Sequence, residues 1–147
     1  MKLTIASLIL AATSVFAAPS GVKRDSSIQI SDFRATSGAS MHFVVTDSNY
    51  PDDTPTDCNL IWQYGESPNK NARCNNSQYY IRFPNGPIDL NRFTLELERV
   101  SGDVPEKGQV LLSSNANGEA PGTKWNCHKN EAGILFCSYD GVLEMQV

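Results

Sequence analysis

Glu96 and Glu98 stand two positions apart in the run FTLELERV. On a strand, side chains at that spacing leave one face about 7 Å apart, a separation that would suit the carboxylate pair of a glycosidase. The same alternation supplies a plainer role. Phe93, Leu95 and Leu97 share one face while Thr94, Glu96 and Glu98 share the other, so the two carboxylates are expected on the wet side of a half-buried strand. Four aspartates, Asp47, Asp52, Asp53 and Asp57, crowd one loop, but Pro51 and Pro55 interrupt them and no glycine supplies the sharp turn of a calcium loop. They read as a solvated acidic loop. No G-x-S-x-G nucleophile elbow occurs, and Gly38–His42 does not fit one.

The two histidines admit one further test. Small secreted guanyl-specific ribonucleases of fungi work with two histidines, a glutamate and an arginine, roles that His42, Glu96 or Glu98, Arg82 or Arg99, and His128 would have to fill. Those enzymes carry a helix and a cysteine near the N-terminus, and neither is read here. His42, alternating with Met41 and Phe43, is expected on the outer face of a strand, and His128 beside Cys127 in a turn. The expectation is therefore no catalytic residue, no metal and no cofactor.

Aromatic residues are concentrated in Trp62, Tyr64, Tyr79, Tyr80, Phe83 and Phe93, with Trp125 further on. Such side chains supply much of the buried area of a small domain. In Tyr79–Phe83, residues Tyr79, Ile81 and Phe83 share one face, which leaves Tyr80 and Arg82 on the other as the candidate contact for a protein or sugar partner.

The elements that must carry these residues are strands. Period-two runs recur at Ile28–Phe33, Met41–Thr46, Leu60–Tyr64, Gln78–Phe83, Phe93–Val100, Gln109–Ser113, Ile134–Tyr139 and Val142–Val147, and helical periodicity is absent past the first residues. Breakers separate the runs at Ser37-Gly38, Pro51-Asp52-Asp53, Ser67-Pro68-Asn69, Pro84-Asn85-Gly86-Pro87, Ser101-Gly102-Asp103 and Asn117-Gly118. Asp140-Gly141 has the composition of a tight hairpin turn. An all-β fold follows, an antiparallel sandwich or barrel of about eight short strands. Cys58–Phe83 stands out within it, two strand-like runs and a polar loop, with a cysteine before the first run and another at the loop's end.

Residues 1–17 have the pattern of a secretory signal: a basic start at Lys2, an apolar run, and Val15-Phe16-Ala17 as the cleavage site. Lys23-Arg24 closes a short Pro/Ser/Gly segment, 18–24, that a kexin-type protease would remove, leaving one domain from Asp25 to Val147. That removal takes Lys2, Lys23 and Arg24 and no acid, so 12 basic residues become 9 against 16 acidic ones, a net charge of −7. A basic footprint for nucleic acid or anionic membrane is missing, and neither is an expected partner. Four cysteines in a secreted chain imply two disulfides with three pairings open; the local one, Cys58 with Cys74 and Cys127 with Cys137, closes two short polar spans. No C-x-x-C pair favours zinc. Asn75-Asn76-Ser77 is a sequon, placing a glycan at Asn75.

IQISDF, ASMHFVVTD, TDCNLIW, ARCNNSQYYIRFP, FTLELERV and WNCHKNEAGILFCSYDGVLEMQV together resemble the Alt a 1-like family of small secreted proteins of filamentous fungi, over Ile28 to Val147. The resemblance implies a compact β-barrel of two facing antiparallel sheets and the local disulfides Cys58–Cys74 and Cys127–Cys137. It brings no catalytic residue with it. It implies an extracellular effector, elicitor or allergen whose partners are plant proteins, defence proteins among them. The family's founding allergen joins two subunits through an extra N-terminal cysteine; Asp25–Asp57 holds none, so a monomer is expected. Two other functions follow from residues alone: a cell-wall carbohydrate module using exposed aromatics, and a small ribonuclease.

Overall fold

The structure, a computed structural model, describes residues 27–37, 39–114 and 122–147. The expected leader, the Lys23-Arg24 processing site and the Asn117-Gly118 turn lie outside those residues.

Nine strands and no helix occur among the described residues: β1 Ser27–Thr36, β2 Ser40–Thr46, β3 Thr56–Ile61, β4 Tyr79–Arg82, β5 Arg92–Arg99, β6 Lys107–Ser113, β7 Trp125–Lys129, β8 Leu135–Tyr139 and β9 Leu143–Gln146. They form two antiparallel sheets. The larger has the order β3-β2-β1-β8-β7 with β9 also beside β1, and the smaller is β4-β5-β6.

β1 is the axis of the large sheet. It pairs with β2 along one side, and along the other with β9 at Ser27–Ile30 and β8 at Arg34–Thr36. Its register shifts between Ser31 and Arg34, where Asp32 takes a φ of 47°. The bulge moves the inward phase from Ile28 and Ile30 to Phe33 and Ala35, all four buried. This is why β1 runs three residues past the expected end at Phe33. Asp140-Gly141 does not form the expected hairpin. β8 and β9 lie end to end along β1 as one interrupted strand, and Gly141, with φ 91°, sits at the interruption. A two-residue Asp-Gly signal suits a glycine bulge as well as a turn, and here no strand pairs across it.

β3 begins four residues before the expected Leu60–Tyr64 run and ends three residues sooner. Its inward side chains are Thr56, Cys58 and Leu60, opposite Val45, Phe43 and Met41 of β2. A threonine and a half-cystine do not read as an apolar alternation, and the apolar pattern of the sequence points instead to Leu60, Trp62 and Tyr64. β3 and β4 lie in different sheets, and Cys58–Phe83 is therefore a link between layers.

The core lies between the sheets. Phe33 packs at 5.2 Å from Phe43, 4.7 Å from Trp125 and 6.4 Å from Phe93, and Trp125 lies 5.7 Å from Phe93 (ring centroids). Trp125 is fully buried, and its indole N–H donates to the Leu90 carbonyl at 2.8 Å. It belongs to β7, which the sequence patterning missed. Leu143 and Met145 point inward and Glu144 and Gln146 outward, as their alternation predicts.

Both disulfides take the local pairing. Cys127 and Cys137 face each other directly across β7 and β8, and Cys58 joins β3 to Cys74 at the entry to β4. Beside the second link, Asn75 N–H donates to the Asp57 carbonyl at 2.8 Å.

Candidate functional site

β4, β5 and β6 place two rows of side chains across the outer face of the small sheet. Register puts Tyr80, Glu98 and Lys107 in one row and Arg82, Glu96 and Gln109 in the next. The charges are mutually paired. Arg82 bonds Glu98 and stands 3.9 Å from Glu96, while Lys107 lies 3.7 Å from Glu96 and 3.8 Å from Glu98. Gln109 donates its amide N–H to Glu96. Each carboxylate thus faces cations, which hold it as an acceptor.

Glu96 corrects the wet-face expectation. It is 5% exposed, and Thr94 beside it is also buried. Loops fold over this face: Asn85 donates to the Thr94 hydroxyl at 2.7 Å, and Ser67–Lys70 line one groove with Arg82, Phe83, Pro84 and Glu96. Alternation correctly separates Thr94 and Glu96 from the core side, but period two cannot report what covers the opposite side.

At the edge of this face Tyr80 is clamped. The Arg73 and Arg82 guanidiniums each stand 4.4 Å from its ring centroid, and Arg73 donates to the tyrosine oxygen at 2.6 Å. Arg73 reaches it because its own backbone bridges to Tyr80. Tyr80 and Arg82 thus share the outer face, half-buried where exposed side chains were expected, with exposed Arg73 as a third member that strand patterning could not reveal.

The second concentration of chemistry is buried. Asp47 leaves β2 at 1% exposure and accepts the Tyr79 hydroxyl proton at 2.6 Å. It is therefore no part of a solvated acidic loop, and the four aspartates diverge. Asp53 pairs with Arg99, Asp57 with the His42 ring, and Asp52 is exposed. Around Asp47, Asn49 donates to Glu106, and Tyr50 bonds the Val104 backbone in both directions. The Arg99 guanidinium covers the Tyr50 ring at 3.6 Å. Burial pushes the Glu106 carboxyl up to about 7, and its hydrogen bond to Asp47 pushes the same way, against the Asn49 amide and Arg99. Burial, aided by Asp47, also moves the Tyr79 hydroxyl well above the ordinary tyrosine range. The cluster ties the Asp47–Pro55 loop to the small sheet.

The residues of the ribonuclease reading are not brought together. His42 lies on the outer face of the large sheet between Asp32 and Asp57, each 3.3 Å away. Glu96, Glu98 and Arg82 lie on the outer face of the opposite sheet, Arg99 belongs to the buried cluster, and His128 stacks on Phe136 from β7. No group of three or more His, Cys, Asp or Glu side chains among the described residues converges as a metal site would. Asn75 is exposed on the turn after Cys74, with its side-chain oxygen 3.4 Å from Asn59 Nδ2. No protein-family model matches the chain, and neither does any curated protein or any solved structure.

Proposed function

We propose that this chain is an extracellular binding protein without a catalytic step of its own, and that it engages a protein partner through Arg73, Tyr80 and Arg82. The observation that carries the reading is the Tyr80 ring held between two guanidiniums at 4.4 Å. Tyrosine and arginine dominate the energetics of protein contacts, and a ring already fixed loses little freedom on binding. The carboxylates beside it support the same reading, since Glu96 and Glu98 are engaged with Arg82, Lys107 and Gln109. The leader pattern and the two disulfides support an extracellular setting. By its resemblance to the Alt a 1-like proteins, the partner is a plant apoplastic or defence protein and the chain an effector or elicitor.

The test is retention of a partner from plant apoplastic fluid by immobilised protein spanning residues 25–147, together with a leaf response to infiltration. Tyr80→Ala and Arg73→Ala should abolish retention of a partner that the control Lys124→Ala retains. Equal retention by all three variants, or none by the parent protein, would refute the proposal.

A further inference from the structure

A separate cleft of about 540 Å³ opens at one end of the sandwich, walled by Trp62 and Tyr64–Glu66, by Pro87–Asn91, and by Lys129, Gly133 and Leu135 of the β7–β8 hairpin. We infer that it binds an oligosaccharide of pyranoses with equatorial hydroxyls. The inference rests on residues other than Arg73, Tyr80 and Arg82 and stands independently of the protein-contact reading.

Two aromatic side chains line the cleft. Tyr64 is 84% exposed, and Trp62 is half-buried against the core. The indole N–H of Trp62 has no acceptor among the described residues, whereas that of Trp125 is satisfied by Leu90. An aromatic body that is wet at its polar tip offers both kinds of contact a sugar needs. A pyranose with equatorial hydroxyls presents apolar C–H faces to a ring and a rim of hydroxyls to polar groups. The rim partners stand in the same walls. Asp89 uses Oδ1 to accept the Asn91 backbone N–H at 2.9 Å, which leaves Oδ2. Asn91 meets the Ser114 hydroxyl through its side-chain oxygen at 3.2 Å, which leaves its amide N–H groups. Glu66 and Lys129 complete a lining that alternates apolar and polar groups. Concave, mixed surfaces of this size, with a few fixed polar groups, suit small ligands. The two aromatics are adjacent because the chain leaves β3 at Ile61 and runs on through a turn, with Trp62 N–H anchored to the Ala39 carbonyl at 3.0 Å.

The experiment uses cellohexaose and chitohexaose, which share the linkage and differ in the substituent at C2. The protein has two tryptophans and Trp125 is sealed in the core, so iodide quenching reports on Trp62. Either sugar should shield Trp62 saturably with a Kd of about 1 mM or tighter. Tyr64→Ala, at an exposed position, and Asp89→Asn, which keeps the Asn91 contact, should each weaken binding about tenfold with Tm unchanged. Absence of shielding by both sugars at ~10 mM overturns the inference. So does binding that neither variant weakens.

Discussion

Tyr79 of the small sheet donates its hydroxyl proton to Asp47, which leaves the large sheet at the end of β2, across 2.6 Å of buried space. The bond spans the two layers at a point where both side chains are 1% exposed. Removing the hydroxyl while keeping the ring leaves a buried carboxylate oxygen without its donor. Tyr79→Phe is therefore expected to cost about 1–3 kcal/mol, read as a lower urea midpoint with an unchanged m-value. In the Asp47→Asn background the same change should cost less, because an amide leaves a weaker acceptor exposed to the loss. Equal costs in the two backgrounds would show that the charge on Asp47 adds nothing to the bond.

Glu106 makes the same region sensitive to pH. Its folded carboxyl titrates at about 7, above the ordinary glutamate value of 4.5, so the folded state holds a proton that the unfolded state has released. The stabilisation is complete below pH 4.5 and is lost as pH rises through 7. The groups that face it are Asp47, Asn49 and Arg99, with Tyr79 and Tyr50 behind them. Glu106→Gln keeps a donor toward Asp47 without a titrating proton. The parent should lose about 3 kcal/mol more than this variant between pH 4.5 and pH 8, measured by urea denaturation. Parallel pH profiles for the two proteins would rule the shared proton out.

Most of the strand set was legible from period-two alternation, and the departures have physical causes. β1 was cut short because the Asp32 bulge inverts its phase, so Phe33 and Ala35 occupy positions that strict alternation assigns to the outside. β7 was missed because Trp125 and Cys127 are its only large inward groups, and the rest of the strand is polar. The Tyr80–Arg82 pair was legible because both lie on one short strand. Arg73 was not, since it reaches Tyr80 through a bridge from outside any named strand. Asp47 is far in the chain from Arg99 and Glu106, and no local pattern distinguishes a buried carboxylate from its exposed neighbours Asp52 and Asp53.

The disulfides should differ in consequence. In the loop-closure account a span of 16 residues is worth ~3 kcal/mol and one of 10 residues slightly less. Cys127–Cys137 joins neighbours already paired in one hairpin, whereas Cys58–Cys74 ties β3 to the chain entering the other sheet. Cys58→Ala/Cys74→Ala is expected to lose about 3 kcal/mol and to deprotect the Asn75 amide in hydrogen exchange. Cys127→Ala/Cys137→Ala should leave that amide protected. The assignment of Cys58–Cys74 as the inter-sheet tie fails if both double variants expose Asn75 equally.

Gly108 marks a close approach of the two layers. It is buried in β6, and a Cβ there would stand 2.2 Å from the Gln146 carbonyl oxygen and 2.9 Å from Met145 Cγ of β9. A glycine inside a strand commonly marks such a close backbone approach, and the expected run, Gln109–Ser113, leaves it out. The oxygen belongs to a main chain that pairs with β1, so it cannot move aside without disturbing Glu144, Met145 and Gln146 in their register. Gly108→Ala is expected to destabilise the protein by at least ~2 kcal/mol through crowding, whereas Gly133→Ala, where a Cβ meets nothing within 4 Å, should cost about 1 kcal/mol through its left-handed φ alone. The paired measurement separates crowding from conformational preference. If Gly108→Ala leaves the denaturant midpoint where it is, β6 and β9 do not pack this closely.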